Sequence, residues 1–189
     1  MRCRNRPNKV PTSDVGSSTF GPHQTIGSCY EGESLAGLLD LIRREIESSR
    51  NFDRALPEKV WLKQQFSIGV NDVTRVLERM QPVSSVKCSS QEQLMNGSHN
   101  VKMPSVQLQA ILLAADCNPR WLLKHLPSLA HSRGVPILFV KDNKGGSLRL
   151  GELVKLKTAI AVGIKARGNP INQLVEKVLS NEIQEVVNA

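Results

Sequence analysis

Residues 66–79 read FSIGVNDVTRVLER, and the reading of this stretch decides the fold. Phe66 and Ile68 form an apolar strand end, and Gly69 breaks it. Two short polar side chains follow, Asn71 and Asp72. Val73, Val76, Leu77 and Met80 then recur at helical spacing, so one face of a helix can meet a core. Gly, Asn and Asp suit the junction, because they tolerate unusual backbone angles or accept from free N–H groups. A strand-to-helix turn is therefore expected, with a capped helix as its plainest meaning.

A second, chemical meaning is open to the same residues. A helix start offers unpaired N–H groups and a partial positive charge, which suit a phosphate or a base edge. Asn71 both donates and accepts, ionised Asp72 accepts, and Arg75 is a fixed fork of donors one turn on. Together they suit a guanine edge and its backbone.

The stretch also resembles the signature of the kink-turn RNA-binding superfamily of ribosomal protein L-seven-Ae type. That pattern runs Gly, any residue, Asn, Glu, any residue, Thr, Lys, then a helix ending Glu-Arg. Here it is Gly69-Val70-Asn71-Asp72-Val73-Thr74-Arg75, with Glu78-Arg79 closing. The wording is most similar to the branch that serves ribonuclease P and ribonuclease MRP. Asp72 stands in place of Glu, and Ile68 where many members have Lys.

Composition agrees with a polyanion partner. The 189 residues suit one domain with tails, and the formal charge is +8. The basicity is local. Residues 134–169 hold seven Lys or Arg against two acids, whereas residues 170–189 hold one Lys against three Glu. Cys3, Cys29, Cys88 and Cys117 show no CxxC and no metal-ligand spacing with His, and read as free thiols. No apolar run approaches the ~20 residues of a membrane helix, and no secretory h-region opens the chain.

Outward from the signature, residues 1–33 are rich in Gly, Pro, Ser and Thr and read as a disordered basic tail. Residues 34–64 read as N-terminal helices: Ser34 caps a helix from about Leu35 to Ser49, and Pro57 opens a shorter one. They either pack on the domain or bind a partner. The main domain is expected over 65–187, with a mobile insertion at 81–104.

Beyond the insertion, Val106–Ala115 reads as a buried strand. Asn118-Pro119 opens a helix reaching about Arg133, ended by Gly134. Val135–Val140 and Thr158–Ile164 are further buried strands, with helical turns over Leu148–Val154 and a terminal helix after Asn169-Pro170. The expected class is α/β, a three-layer α-β-α sandwich around a small mixed sheet.

The resemblance continues through Ala114-Ala115-Asp116, Pro119, His125-Leu126-Pro127, Val135-Pro136, Phe139-Val140 and Leu150-Gly151. It implies that Gly69, Asn71, Asp72 and Arg75 approach the sheared G·A pairs of a kink-turn. It implies that Leu156 and Lys157, in the loop 155–158, hold a flipped-out nucleotide, with Leu122 as a further apolar contact. Leu122 reads equally as a core leucine, and His125 as a packed histidine. Asn118 replaces an acidic contact residue of some relatives.

No acid, base and nucleophile converge, and Lys144-Gly145-Gly146-Ser147 lacks the upstream glycine of a phosphate loop, so an enzyme is not expected. Aromatics are scarce, which argues against a platform of stacked bases. The expectation is a non-catalytic RNA-binding subunit without cofactor or metal. It would recognise a kink-turn beside other protein subunits of a nuclear, nucleolar ribonucleoprotein that processes pre-tRNA and rRNA. Ribosomal or small nucleolar particles are the alternative assemblies. A protein-interaction module of the same fold, without RNA binding, is the alternative class.

Overall fold

A computed structural model describes residues 27–83, 106–117, 120–143 and 145–187, with side chains described to Ser180 in the last helix. Most of the expected tail, most of the expected insertion, Cys3, Cys88, Asn118, Pro119 and Lys144 lie outside the described residues.

In chain order the elements are β1 (Gly27–Glu31), α1 (Gly32–Phe52), α2 (Glu58–Gln65), β2 (Phe66–Ile68) and α3 (Val70–Arg79). Then come β3 (Leu108–Ala114), a 3-10 turn (Arg120–Leu123), α4 (His125–Ser132) and β4 (Ile137–Lys141). α5 (Gly146–Leu153), β5 (Ala161–Lys165) and α6 (Pro170–Val187) complete the chain.

The five strands form one mixed sheet in the order β1-β4-β3-β5-β2. β1 and β3 run parallel to β4, while β5 is antiparallel to both β3 and β2. Strands β1 to β4 therefore all end at one end of the sheet, where β5 begins. Every connection that follows those four strands, and the loop that enters β5, meets there. Open α/β sheets place their ligands at such an end.

Strand alternation divides the core in two. Ala110, Leu112 and Ala114 of β3 face α1, α2, α5 and α6, together with Leu138, Val140, Val162 and Ile164. Ile111, Leu113, Ile137 and Ala161 face α3 and α4. Leu108 joins this second face although its parity matches Ala110. A register shift between Leu108 and Ala110 turns it over, as a bulge does. The result is the expected three-layer α-β-α sandwich. Truncating Ile42, fully buried where α1 meets the sheet, to Ala should cost about 2–5 kcal/mol.

The structure corrects several expectations. Gly27–Glu31 is an edge strand in register with Ile137–Lys141, not part of a tail. Its parallel ladder needs no apolar run, and Tyr30 alone packs on the core. α1 begins at Gly32, and Ser34 Oγ donates to Glu31 O (2.9 Å) rather than capping the helix. Of the two roles open to the N-terminal helices, packing on the domain is the one seen: α1 and α2 share the core of the sheet through Leu35, Leu38, Ile42, Trp61 and Leu62. The expected helix before Arg133 is a 3-10 turn followed by α4. Gly134, at φ +67°, ends it as expected.

Candidate nucleic-acid interface

The apolar stripe of α3 fixes which side chains reach solvent. Val73 and Leu77 are buried against β5 and α4, which leaves Asn71, Asp72 and Arg75 exposed. Gly69 sits at φ +94°, a backbone that favours glycine. Its N–H donates to Ala161 O (2.8 Å), and its carbonyl accepts the first helical bond from Val73 N–H (3.1 Å). No side chain caps this helix start. The bare first turn and its positive dipole end thus face outward beside Asn71 and Asp72.

Asp72 and Arg75 pair with each other at 3.5 Å, with 57% and 60% of their side chains exposed. A surface pair of this kind is worth about 0–1 kcal/mol, so either group can exchange its partner for a ligand. Asp72 also lies within charge reach of Lys165. Burial, then neighbouring Arg167, lowers the Lys165 ammonium below its ordinary range, and Asp72 opposes that fall.

The loop that enters β5 is held from α5. Asp116 anchors α5 by accepting Gly146 N–H at Oδ2 (2.7 Å). Gly151 lies directly under the loop: a Cβ there would meet Thr158 Cα and N at 2.7 Å. Leu156 N–H donates to Gly151 O (2.8 Å), and Ala159 N–H to Ser147 O (2.9 Å). Lys155 adopts φ +56° to make the turn. So fastened, the loop presents Leu156, 46% exposed, between exposed Lys155 and Lys157. It leads into Ala161, whose carbonyl holds Gly69. The helix tip and the lysine-bearing loop therefore share one end of the sheet.

Leu122 lies in the 3-10 turn that leaves β3 at this same end, and it is half-buried rather than a core residue. His125, expected as a packed histidine, is exposed. Its Nε2 and Thr74 Oγ1 share a hydrogen bond at 2.9 Å, which ties the second turn of α3 to the first residue of α4. Ile68 packs, half-buried, on the core of the sheet. All seven expected contact residues thus lie at one end, with Asn118 outside the described residues. Asp116, Gly151 and His125 were legible as motif residues, but their supporting roles need the three-dimensional contacts.

Among the described residues, no group of three His, Cys, Asp or Glu could hold a metal ion. Cys29 is exposed and Cys117 buried, both as free thiols. Burial, then the nearby Asp116 charge, raises the Cys117 thiol. No helix among the described residues is long and apolar enough to cross a membrane.

Residues 86–173 match the ribosomal protein L7Ae/L30e/S12e/Gadd45 family. That match contains Leu122, Leu156 and Lys157 and begins after α3, so Gly69, Asn71, Asp72 and Arg75 lie outside it. Large ribosomal subunit protein eL8 of Caenorhabditis elegans is 37% identical over 78 residues. The match covers 39% of this chain and spans 28% of that relative's length. The Giardia lamblia 15.5kD RNA binding protein superposes with a TM-score of 0.50 at 16% identity, over 80% of this chain and 90% of the other. This second likeness speaks to the fold alone. Members of the family are RNA-binding structural proteins of ribonucleoprotein complexes rather than enzymes. The chain therefore has the L7Ae-like fold, and residues 86–173 carry the sequence features of that family.

Proposed function

We propose that this chain is a non-catalytic RNA-binding subunit that grips a kink-turn, within a ribonuclease P or MRP type of particle. One observation carries the reading. The uncapped start of α3, with Asn71, Asp72 and Arg75 exposed, shares one end of the sheet with the loop of Leu156 and Lys157. A regular RNA helix hides its base edges in a deep groove, whereas a kinked strand exposes them. Asp72 accepts from guanine N–H groups, Asn71 meets a base edge or backbone, and Arg75 neutralises phosphate. Leu156 and Lys157 receive the unstacked nucleotide. Each good base contact is worth about 1–3 kcal/mol.

The ribonuclease P and MRP assignment draws on the wording Gly69-Val70-Asn71-Asp72-Val73-Thr74-Arg75, and it carries with it a nucleolar location and protein partners. The identity to eL8 supports a ribosomal particle as the second reading.

Competition between a kink-turn RNA and a straight duplex of equal length tests the site. Preference for the kink-turn by tenfold or more is expected, and equal binding refutes it. Crosslinking in cells, followed by sequencing of the attached RNA, tests the particle. Ribonuclease P or MRP RNA is expected, and ribosomal RNA would shift the reading to the second assembly. Protein partners that survive nuclease treatment, without RNA affinity, would place the chain among protein-interaction modules.

A further inference from the structure

The chain has two tryptophans, and they behave oppositely. Trp61 is buried at 2% exposure, whereas Trp121 is 67% exposed. A single exposed apolar residue is ordinary, so what Trp121 can do depends on where it stands. Trp121 lies in the 3-10 turn between β3 and α4, where Leu123 and Leu126 take the inward positions. It precedes His125 by four residues, roughly 8 Å of 3-10 rise, and His125 is bonded to Thr74 on α3. The turn leaves β3 at the end of the sheet where α3 starts, so the indole stands at the end that carries Leu156 and Lys157. Phe52 is also exposed, but it closes the 21-residue α1, which starts at this end and runs away from it.

The charges around the indole suit a polyanion. Among the described residues, most acids at this end are engaged, Glu33 on the exposed first turn of α1 being the exception. Glu31 pairs with Lys141, Asp72 with Arg75 and Asp142 with Arg149, and Asp116 accepts Gly146 N–H. Lys124, three residues from the indole, and Lys157, in the loop at this end, are exposed and join no ion pair among the described residues. An exposed aromatic face amid unpaired cations is the pattern that holds an unstacked base.

We propose that Trp121 is a stacking residue for one unpaired nucleobase of the RNA held at the α3 tip. It extends the interface beyond the residues that the family resemblance supplies. This inference rests on the proposed RNA-binding site. The scarcity of aromatics argued against a platform, but a count does not see position, and one placed indole suffices for one base.

The test uses the full chain and a kink-turn RNA with an unpaired flanking nucleotide. W121A should weaken binding about tenfold at an unchanged melting temperature, and W121F should recover most of the loss. Iodide should quench the Trp121 emission in the free protein and be shielded from it in the complex, with buried Trp61 as the internal reference. Removing the base of the stacked nucleotide should weaken wild type but not W121A. An indole still quenched in the saturated complex, or W121A binding within about twofold of wild type, overturns the stacking. It does so while the α3 site stands, provided that Arg75→Ala still weakens binding. A wild-type chain with no preference for kinked RNA overturns the site and this inference together.

Discussion

Two helix starts in this molecule use the same residue type for opposite ends. At α6, Asn172 is 6% exposed and saturated. Its Oδ1 accepts from Arg167 and Asn169 N–H (3.0 and 3.1 Å), and its Nδ2 donates to Gln109 Oε1 and Lys165 O (2.6 and 2.9 Å). Asn169 Oδ1 accepts Asn172 N–H at 3.0 Å, so the helix is capped. At α3, Asn71 stands exposed on a helix start with no side-chain cap. The first asparagine follows β5, at the end of the sheet where that strand finishes. The second stands at the end where β5 begins. A polar group whose bonds are all made within the protein holds shape, and one left facing water can recognise something else.

Substitutions sharpen this contrast. Asn172→Ala strands several partly buried backbone groups and should cost about 2–4 kcal/mol in denaturant unfolding. Its RNA affinity, measured where the chain is folded, should not change. Gly151→Val drives a side chain into the backbone of Thr158. It should cost about 1–3 kcal/mol and also weaken RNA binding, because the loop of Leu156 and Lys157 must move. Arg75→Ala should leave stability within about 0.5 kcal/mol, weaken RNA binding about tenfold, and lower the salt slope by about 0.7–0.9. Thr74→Val removes the bond to His125 and should cost about 0.5–1.5 kcal/mol.

The acid limb of stability offers a smaller test. The Lys141 hydrogen bond and charge hold the exposed Glu31 carboxyl below its ordinary value of 4.5. The pair's contribution is thus present above that value and fades as pH falls through the lowered one. Glu31→Gln should slightly flatten the acid limb of an unfolding titration.

The sequence made α3 legible because its apolar period, its glycine and its polar pair all point to one turn. The buried strands β3 and β4 were legible from their continuous apolar runs. β1 was not, because GSCYE shows neither alternation nor an apolar run, and its place comes from the ladder with β4. His125 looked packed because it matches a structural position in the pattern His125-Leu126-Pro127 of the resemblance. Its exposure follows from α4 starting at His125 itself, so the ring lies at a helix end beside α3. The site was legible as residue types, but its assembly was not. A hydrogen bond from Gly69 to Ala161 joins stretches more than ninety residues apart, and no local pattern announces such a bond.

The most direct test measures Asn71→Ala twice: its dissociation constant for a kink-turn RNA and its unfolding free energy. The account predicts affinity about tenfold weaker with stability within about 0.5 kcal/mol of wild type. Unchanged affinity, or a stability loss as large as that of Asn172→Ala, would contradict it.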